Sequence, residues 1–494
     1  MSEMNWLIVY PEIVLLTMAC VVAIVDLFVT DVQRRATYWL TQLSFAVVAG
    51  LHLGLTDGIG APYGMQDMVV SDAMGHTLAF FASVAMIVTV AYAQPYIASR
   101  DMLKGEFFTL SMFVLLGISV MTSANNFLVV YLGLELMSLS LYALVALRRD
   151  HAVATEAAMK YFVLGALASG FLLYGLSMMY GATRSLEIPD VFSAISNGQV
   201  NPSVLTFGVV FVVAGLAFKL GVVPFHMWVP DVYHGAPTAV TLLIAGAPKL
   251  AAFAITMRLL VEGMLGLAVD WQEMLVVLAV ASLVVGNLAA IAQTNLKRML
   301  AYSTISQMGF MLLGMTAGVV TGNTLSAGNA YSSSMFYMVT YVLTTLGTFG
   351  LIMVLSRAGH ESDEIADLAG LGKRAPWLAG VMTLFMFSLA GVPPMVGFYA
   401  KLSILQALVT THVVGYIALA VVAVMLSLIG AFYYLRVVKV MYFDAVPAGT
   451  PAIDRRRGIS AVLALNGGAV LVLGLLPGGL MALCRDAILK ALTS

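Results

Sequence analysis

The chain has 494 residues, of which 61% are hydrophobic and 10% are charged, and its 24 basic and 25 acidic residues leave a net charge of −1. A soluble chain carries about 25% charged residues and is about half apolar, so these figures and a mean hydropathy of +0.97 exclude a water-soluble protein. The charge balance also excludes a nucleic-acid binder, which needs a concentrated basic surface.

A helix needs about 20 apolar residues to cross a bilayer. That window predicts spans near 6–29, 38–56, 75–98, 106–123, 124–147, 156–182 and 204–230. It continues near 238–262, 271–293, 299–320, 330–356, 376–409, 413–435 and 459–479. The expected class is an all-α polytopic membrane protein of about 14 transmembrane helices. The opening MSEMNW lacks a basic leader, so the first stretch reads as a retained span. The fourth and fifth spans abut at Ser123-Ala124-Asn125-Asn126, and the polar stretch 57–74 reads as an external loop.

Basic residues follow odd-numbered spans: Arg34 and Arg35; Arg100 and Lys104; Arg148, Arg149 and Lys160; Lys297 and Arg298. Arg357, Lys373, Arg374, Arg436, Lys439 and Arg455 to Arg457 bring the total to 17 of 24. Such asymmetry places these connections in the cytoplasm and both termini on the outer side. Lys297 and Arg298 are then read as topology determinants, and Glu12 and Asp26 as structural.

The two cysteines, Cys20 and Cys484, form no CxxC pair, so a cysteine-ligated cluster or zinc site is not expected. Neither a phosphate-binding loop nor a GxGxxG fingerprint occurs. The energy source therefore lies elsewhere than in a cofactor held by this chain.

Two segments echo each other. YFVLGALASGFLLYG from Tyr161 resembles FYMVTYVLTTLGTFG from Phe336, and each precedes a proline-interrupted span: KLGVVPFHMW with Pro224, and LAGVPPMVGFYAK with Pro393 and Pro394. The spacing matches five spans per copy, an odd number, so the copies are expected to be inverted, each with a broken helix. The expected organisation is 1–104 (spans 1–3), 105–262 (first five-helix repeat), 271–443 (inverted second repeat) and 459–494 (last span). Proline removes an amide donor and displaces the carbonyl four residues back, here those of Leu220, Leu389 and Ala390. A kink is the plain alternative, but polar backbone inside a membrane belongs where it is buried or wet.

Four ionisable residues lie deep in spans: Glu135, Lys219, Lys249 and Lys401. Each costs about 2.5–3.5 kcal/mol at a helix centre, roughly 10–14 kcal/mol in all. Snorkelling relieves only residues near a helix end. Structural ion bridges are the alternative; function is the better-supported reading. A lysine out of water gives up its proton readily, and a nearby carboxylate holds it on. Paired with Glu135, Lys219 stays protonated; separated, it releases its proton toward Lys249, and Lys401 carries it onward. His226 and His234 flank the first break and are candidates for proton entry, or for interfacial hydrogen bonds. Ser303, Thr304, Ser306 and Gln307 are read as water-ordering groups or as polar glue.

FKLGVVPFHMWVPDVYHGAPT, AYSTISQMGF and GVPPMVGFYAK resemble the antiporter-like membrane subunits of respiratory complex I (NADH:quinone oxidoreductase), relatives of the Mrp-type sodium/proton antiporters. VPDVYHGAPT and the opening PEIVLLTMACVVAIVDLF point to one branch. The end at Ser494 leaves no room for the long lateral helix of subunit L. The resemblance implies fourteen helices with two inverted five-helix repeats. It implies that Glu135 matches the fifth-span glutamate, Lys219 the seventh-span lysine that pairs with it, and Lys249 the central eighth-span lysine. Lys401 matches a twelfth-span charge that is glutamate in subunit M. It also implies proton translocation coupled to quinone reduction elsewhere, with flavin, iron–sulfur clusters and quinone on other subunits. The implied partners are membrane lipid and other membrane subunits, especially antiporter-like subunit M and the small subunits J and K. The implied location is a bacterial inner membrane with periplasmic termini. The rival readings are an Mrp-type sodium/proton antiporter subunit and a non-pumping membrane scaffold.

Overall fold

The computed structural model describes residues 5–56, 63–198, 200–357, 359–447 and 457–493. The first part of the expected external loop, 57–62, and the basic residues Arg455 and Arg456 lie outside the described residues. Among those described, twelve helices are long and apolar enough to cross a membrane. The first seven are Tyr10–Phe28, Arg35–Leu55, Ala73–Ala98, Gly105–Thr122, Phe127–Val145, Ala152–Thr183 and Pro202–Leu220. Thr238–Gly263, Leu265–Ile291, Ala327–Leu355, Val414–Phe443 and Gly458–Leu475 correspond to predicted spans 8, 9, 11, 13 and 14. The tenth, Leu296–Met315, is equally long but more polar. The twelfth comes in two pieces, Pro376–Ala390 and Val396–Val409.

Burial sorts these helices into an axis and a rim. The apolar stretch of span 8 is wholly buried and that of span 11 is 89% buried, whereas those of spans 1 and 13 are only 28% and 17% buried. Spans 8 and 11 therefore form the centre, with the outer spans turned toward lipid or partners. Any polar group on the central pair is shielded from hydrocarbon by protein.

Both predicted breaks occur where proline was expected to make them. Span 7 ends at Leu220 with Gly221 in the left-handed region (φ 80°), and the chain resumes as the helix Trp228–Gly235. Span 12 pauses at Ala390, with Gly391 at φ 85°, and resumes at Val396. A residue without a Cβ occupies that conformation at least cost. Cis bonds precede Pro224 and Pro394.

The starts of spans 5 and 10 also match. Asn126 and Asn295 cap them, accepting from Leu128 N and Arg298 N respectively. Each asparagine also donates to a glutamate at the start of a distant helix, Glu187 (2.7 Å) and Glu364 (3.1 Å). The flanking backbone bonds repeat too: Phe127 N to Leu186 O and Ile188 N to Asn125 O, against Leu296 N to Asp363 O and Ile365 N to Thr294 O.

Three elements were not expected. The helix Gly478–Thr493 packs on spans 3 and 11 and buries Cys484; its Arg485, Asp486 and Lys490 keep it out of any apolar window. The short helix Ile188–Ser196 buries Ile188, Val191 and Ile195, too short a stripe for a span. In the polar loop, Tyr63–Gly64 pairs antiparallel with Val69–Val70.

Candidate functional site

A broken helix leaves carbonyls without amide partners, and buried carbonyls must be satisfied. At the first break Ala217 O accepts from Gly221 N and Val222 N, and Phe218 O from the indole of Trp228. The two remaining carbonyls, Lys219 O and Leu220 O, accept from a single group, the ammonium of Lys249 on span 8, at 3.2 and 2.8 Å. At the second break Leu389 O accepts from Gln307 Nε2 (3.0 Å), and Ala390 O from the ammonium of Lys401 (3.0 Å). The carbonyls that the prolines were expected to free are thus held, for the most part, by the lysines. The negative end of a half-helix faces each ammonium, so neither lysine needs a carboxylate to be accommodated.

Lys249 is fully buried (1% exposed), and its ammonium lies 5.5 Å from the Trp228 ring. Lys401 also bonds Ser427 Oγ at 2.7 Å and lies 5.5 Å from the Phe310 ring. Lys219 donates to Ser138 Oγ (2.9 Å) and Ser169 Oγ (3.4 Å). It makes no ion pair with Glu135. The expected Glu135–Lys219 pairing is absent in this conformation, and Ser138, three residues past Glu135 on span 5, stands at the lysine instead. One Glu135 oxygen, Oε1, is buried without a hydrogen-bond partner. The flanking Leu132 and Leu139 are exposed at 64% and 53%, so Glu135 lies beside an outward-facing apolar strip.

Between the two breaks runs a polar corridor, most of which sequence reasoning missed. Tyr341 donates to Thr304 (2.8 Å), Tyr337 to Gln307 Oε1, and Gln307 to the Tyr434 hydroxyl (3.0 Å). Ser303 meets Tyr434 at 2.5 Å, and Thr344 meets Ser388 at 3.2 Å. A cavity of about 20 Å³ lies among Gln307, Tyr337, Tyr341, Thr344, Ser388 and Lys401, room for one water. Among the described residues, the buried Tyr233 hydroxyl makes no hydrogen bond. Ser303, Thr304 and Gln307 were read as possible water-ordering groups. The tyrosines and threonines of span 11 gave no separate signal, because tyrosine and threonine are ordinary in membrane helices.

His226 is half-buried in the break itself, with Nδ1 buried and unpartnered. His234 is half-buried as the penultimate residue of Trp228–Gly235. The two sit at opposite ends of this half-helix. The reading of Lys297 as a topology signal needs correction: it is buried, and it donates to Ala236 O at 2.7 Å. Nearby, Glu361 accepts from Tyr96 (2.7 Å), Arg100 (2.9 Å) and Thr238. Arg298 and Lys160 share Asp231, each within 2.8 Å. Arg258 is buried in the Met257–Gly263 turn with Asp72 and Glu262.

The family model for the transmembrane region of NADH:quinone oxidoreductase and Mrp antiporter proteins matches residues 124–428. The chain is 63% identical over 489 residues to NADH-quinone oxidoreductase subunit N of Polaromonas naphthalenivorans, covering 99% of this chain and 98% of that one. It is 59% identical over 498 residues to the subunit N of Herminiimonas arsenicoxydans, with both chains fully covered. Among solved structures, a chain of respiratory complex I from Thermus thermophilus superposes with a TM-score of 0.78 at 30% identity, over 96% of this chain and 99% of that one. A chain of the Mrp complex from Dietzia sp. shares the fold, with a TM-score of 0.79 at 22% identity, over 98% of this chain and 96% of that one. With its half-helices capped by buried lysines, the chain belongs to the NADH-quinone oxidoreductase subunit N family, within the antiporter-like membrane proteins.

Proposed function

We propose that this chain moves protons across a bacterial inner membrane as a subunit of NADH:quinone oxidoreductase, driven by quinone reduction on other subunits. The observation that carries this reading is Lys249. It is a fully buried ammonium with no carboxylate partner among the described residues, held by the carbonyls of Lys219 and Leu220 at the end of a broken helix. Lysine carries no lone pair while protonated, and hard cations need clustered oxygen ligands, so a lysine series suits proton transfer better than sodium exchange.

In this mechanism Glu135 governs Lys219 through Ser138. With the carboxylate near, Lys219 keeps its proton; in the separated arrangement, Lys219 passes it toward Lys249, whose ammonium shares the same half-helix end. The tyrosine, threonine and glutamine corridor and its single-water cavity lead on to Lys401 and Ser427. His234 and His226 are the entry groups. The matched Asn126–Glu187 and Asn295–Glu364 bonds, and the matched glycine-ended breaks, support two inverted five-helix repeats within fourteen crossings. The basic loops put both termini on the periplasmic side. Flavin, iron–sulfur clusters and quinone belong to other subunits, and the neighbours in the membrane are subunits M, J and K.

The test is proton pumping by the purified, assembled complex carrying Glu135→Ala or Lys219→Ala. Loss of a proton-transfer group costs about 10²-fold or more. Pumping and coupled quinone reduction should therefore fall strongly while assembly is retained. Unchanged pumping by an assembled Glu135→Ala complex would contradict the path, and sodium transport without an electron donor would favour an antiporter instead.

A further inference from the structure

The relay above leaves a pair of buried imidazoles unused. His52, one turn from the end of span 2, and His76, one turn into span 3, meet Nδ1 to Nδ1 at 3.1 Å, and both are buried at 1% and 4% exposure. Two δ nitrogens at that distance form a hydrogen bond only if one carries the hydrogen and the other is bare. The two rings therefore share one proton. Their outer nitrogens both face hydroxyls: His76 Nε2 meets Ser71 Oγ at 2.8 Å, and His52 Nε2 meets Ser119 Oγ at 3.4 Å. A hydroxyl donates or accepts as it rotates, so the line Ser71–His76–His52–Ser119 can be ordered in either direction.

The charges around this pair are set by three elements. Asp72 caps span 3 and receives both guanidinium nitrogens of Arg258 at 2.7 Å. Arg258, on the same span as Lys249, also bonds Glu262 (2.8 Å) and Thr122 O (2.8 Å). Span 1 contributes Glu12, which accepts from Ser123 at 3.3 Å. Gly75, beside His76, makes the close approach possible: a Cβ there would lie 2.5 Å from Thr122 O and 3.1 Å from the Arg258 nitrogen. Arginine stays charged, so Asp72 and Arg258, bonded to each other, present opposite charges to His76.

We propose that His52 and His76 are a proton-transfer pair at the face opposite the basic loops, through which the relay exchanges protons with the outer water. A proton arrives at the bare Nε2 of one ring, the shared proton crosses between the two Nδ1 atoms, and a proton leaves from the other Nε2. The pair ends with its tautomers reversed; turning both rings, which exchanges inner and outer nitrogens, together with rotation of the serine hydroxyls, restores the starting pattern of hydrogens. Nine residues separate Lys249 from Arg258, about 13 Å along the helix, so the pair sits outward of the central lysine, with His76 on span 3, which packs against span 8, and His52 on span 2, which packs against span 3. This role rests on the proton-translocation reading.

The test uses the intact complex in vesicles with this face toward the lumen, driven by NADH and a quinone. Initial proton delivery is read over a range of lumenal pH. Glutamine keeps hydrogen bonds but cannot relay a proton, so His52→Gln with His76→Gln is the informative variant; His76→Gln alone serves if the double variant does not assemble. The expected result is delivery slowed about tenfold or more and no longer dependent on lumenal pH, with assembly intact. Wild-type rate and pH profile in the variant, while Lys249→Met abolishes delivery, would overturn the pair's role and leave the relay standing. Wild-type delivery by Lys249→Met as well would overturn the relay and the pair with it.

Discussion

A buried ammonium is tolerable when acceptors meet its hydrogens, and the three lysines solve this differently. Lys249 uses two backbone carbonyls, Lys401 one carbonyl and Ser427, and Lys219 two serines. Of these acceptors only Ser138 lies on the helix of Glu135, three residues on, which is why the proposed relay couples the acid to the first lysine through it. Ser138→Ala should therefore slow proton delivery about tenfold, while a single lost hydrogen bond costs only about 1 kcal/mol of stability. A thermal melt and a pumping assay on the same preparation separate the two effects. The four membrane charges were legible in the sequence because a charge in hydrocarbon is too costly to be incidental. Ser138 was not legible, because a serine in a membrane helix is ordinary. Lys297 was misread for a related reason: a lysine at a predicted helix start looks like a topology signal until the chain is seen to fold Ala236 onto it.

Among the helices, the two breaks do the positioning. Gly221 and Gly391 turn the chain at φ 80° and 85°, and each turn presents a half-helix end to a lysine. At Gly391 a Cβ would lie 2.9 Å from Lys401 Cδ. Gly391→Ala should cost about 1–3 kcal/mol from the left-handed backbone, lower the melting temperature, and displace Lys401 from Ala390 O, with reduced pumping in the assembled complex. A stability loss with full pumping would mean that the break supports the fold without holding the lysine for transfer. Proline spacing and the weak repeat made these breaks readable in advance. The recipients of the freed carbonyls were not readable, since Lys249 approaches from the next span and Gln307 from span 10. The helix Gly478–Thr493 escaped notice because its charges mask a buried apolar stripe.

Across the whole molecule, Glu361 joins parts distant in sequence. It accepts from Tyr96 and Arg100 at the end of span 3 and from Thr238 at the start of span 8, and Lys297 of span 10 lies near. Burial alone would raise this carboxyl; Lys297 and Arg100, with hydrogen bonds from Thr238 and Tyr96, outweigh it and hold it below the usual carboxylate range. A depressed acid stabilises the fold above its unfolded value, about 4.3, and loses that contribution as pH falls through the folded value. Glu361→Gln should therefore melt lower than wild type near neutral pH, and the difference should close on acidification below about 4.3. A gap independent of pH would show that the carboxylate charge is not what joins these spans.

The fold places Lys249 on the wholly buried span 8, at the end of the first broken helix and with no carboxylate partner among the described residues, and proton transfer through it is the central claim. Its most direct measurement is proton delivery per NADH oxidised by the purified complex with Lys249→Met, a replacement of similar length that has no proton to give. Delivery reduced about 10²-fold at this subunit, in a complex that still assembles, is the predicted result. Full wild-type delivery in that complex would contradict it.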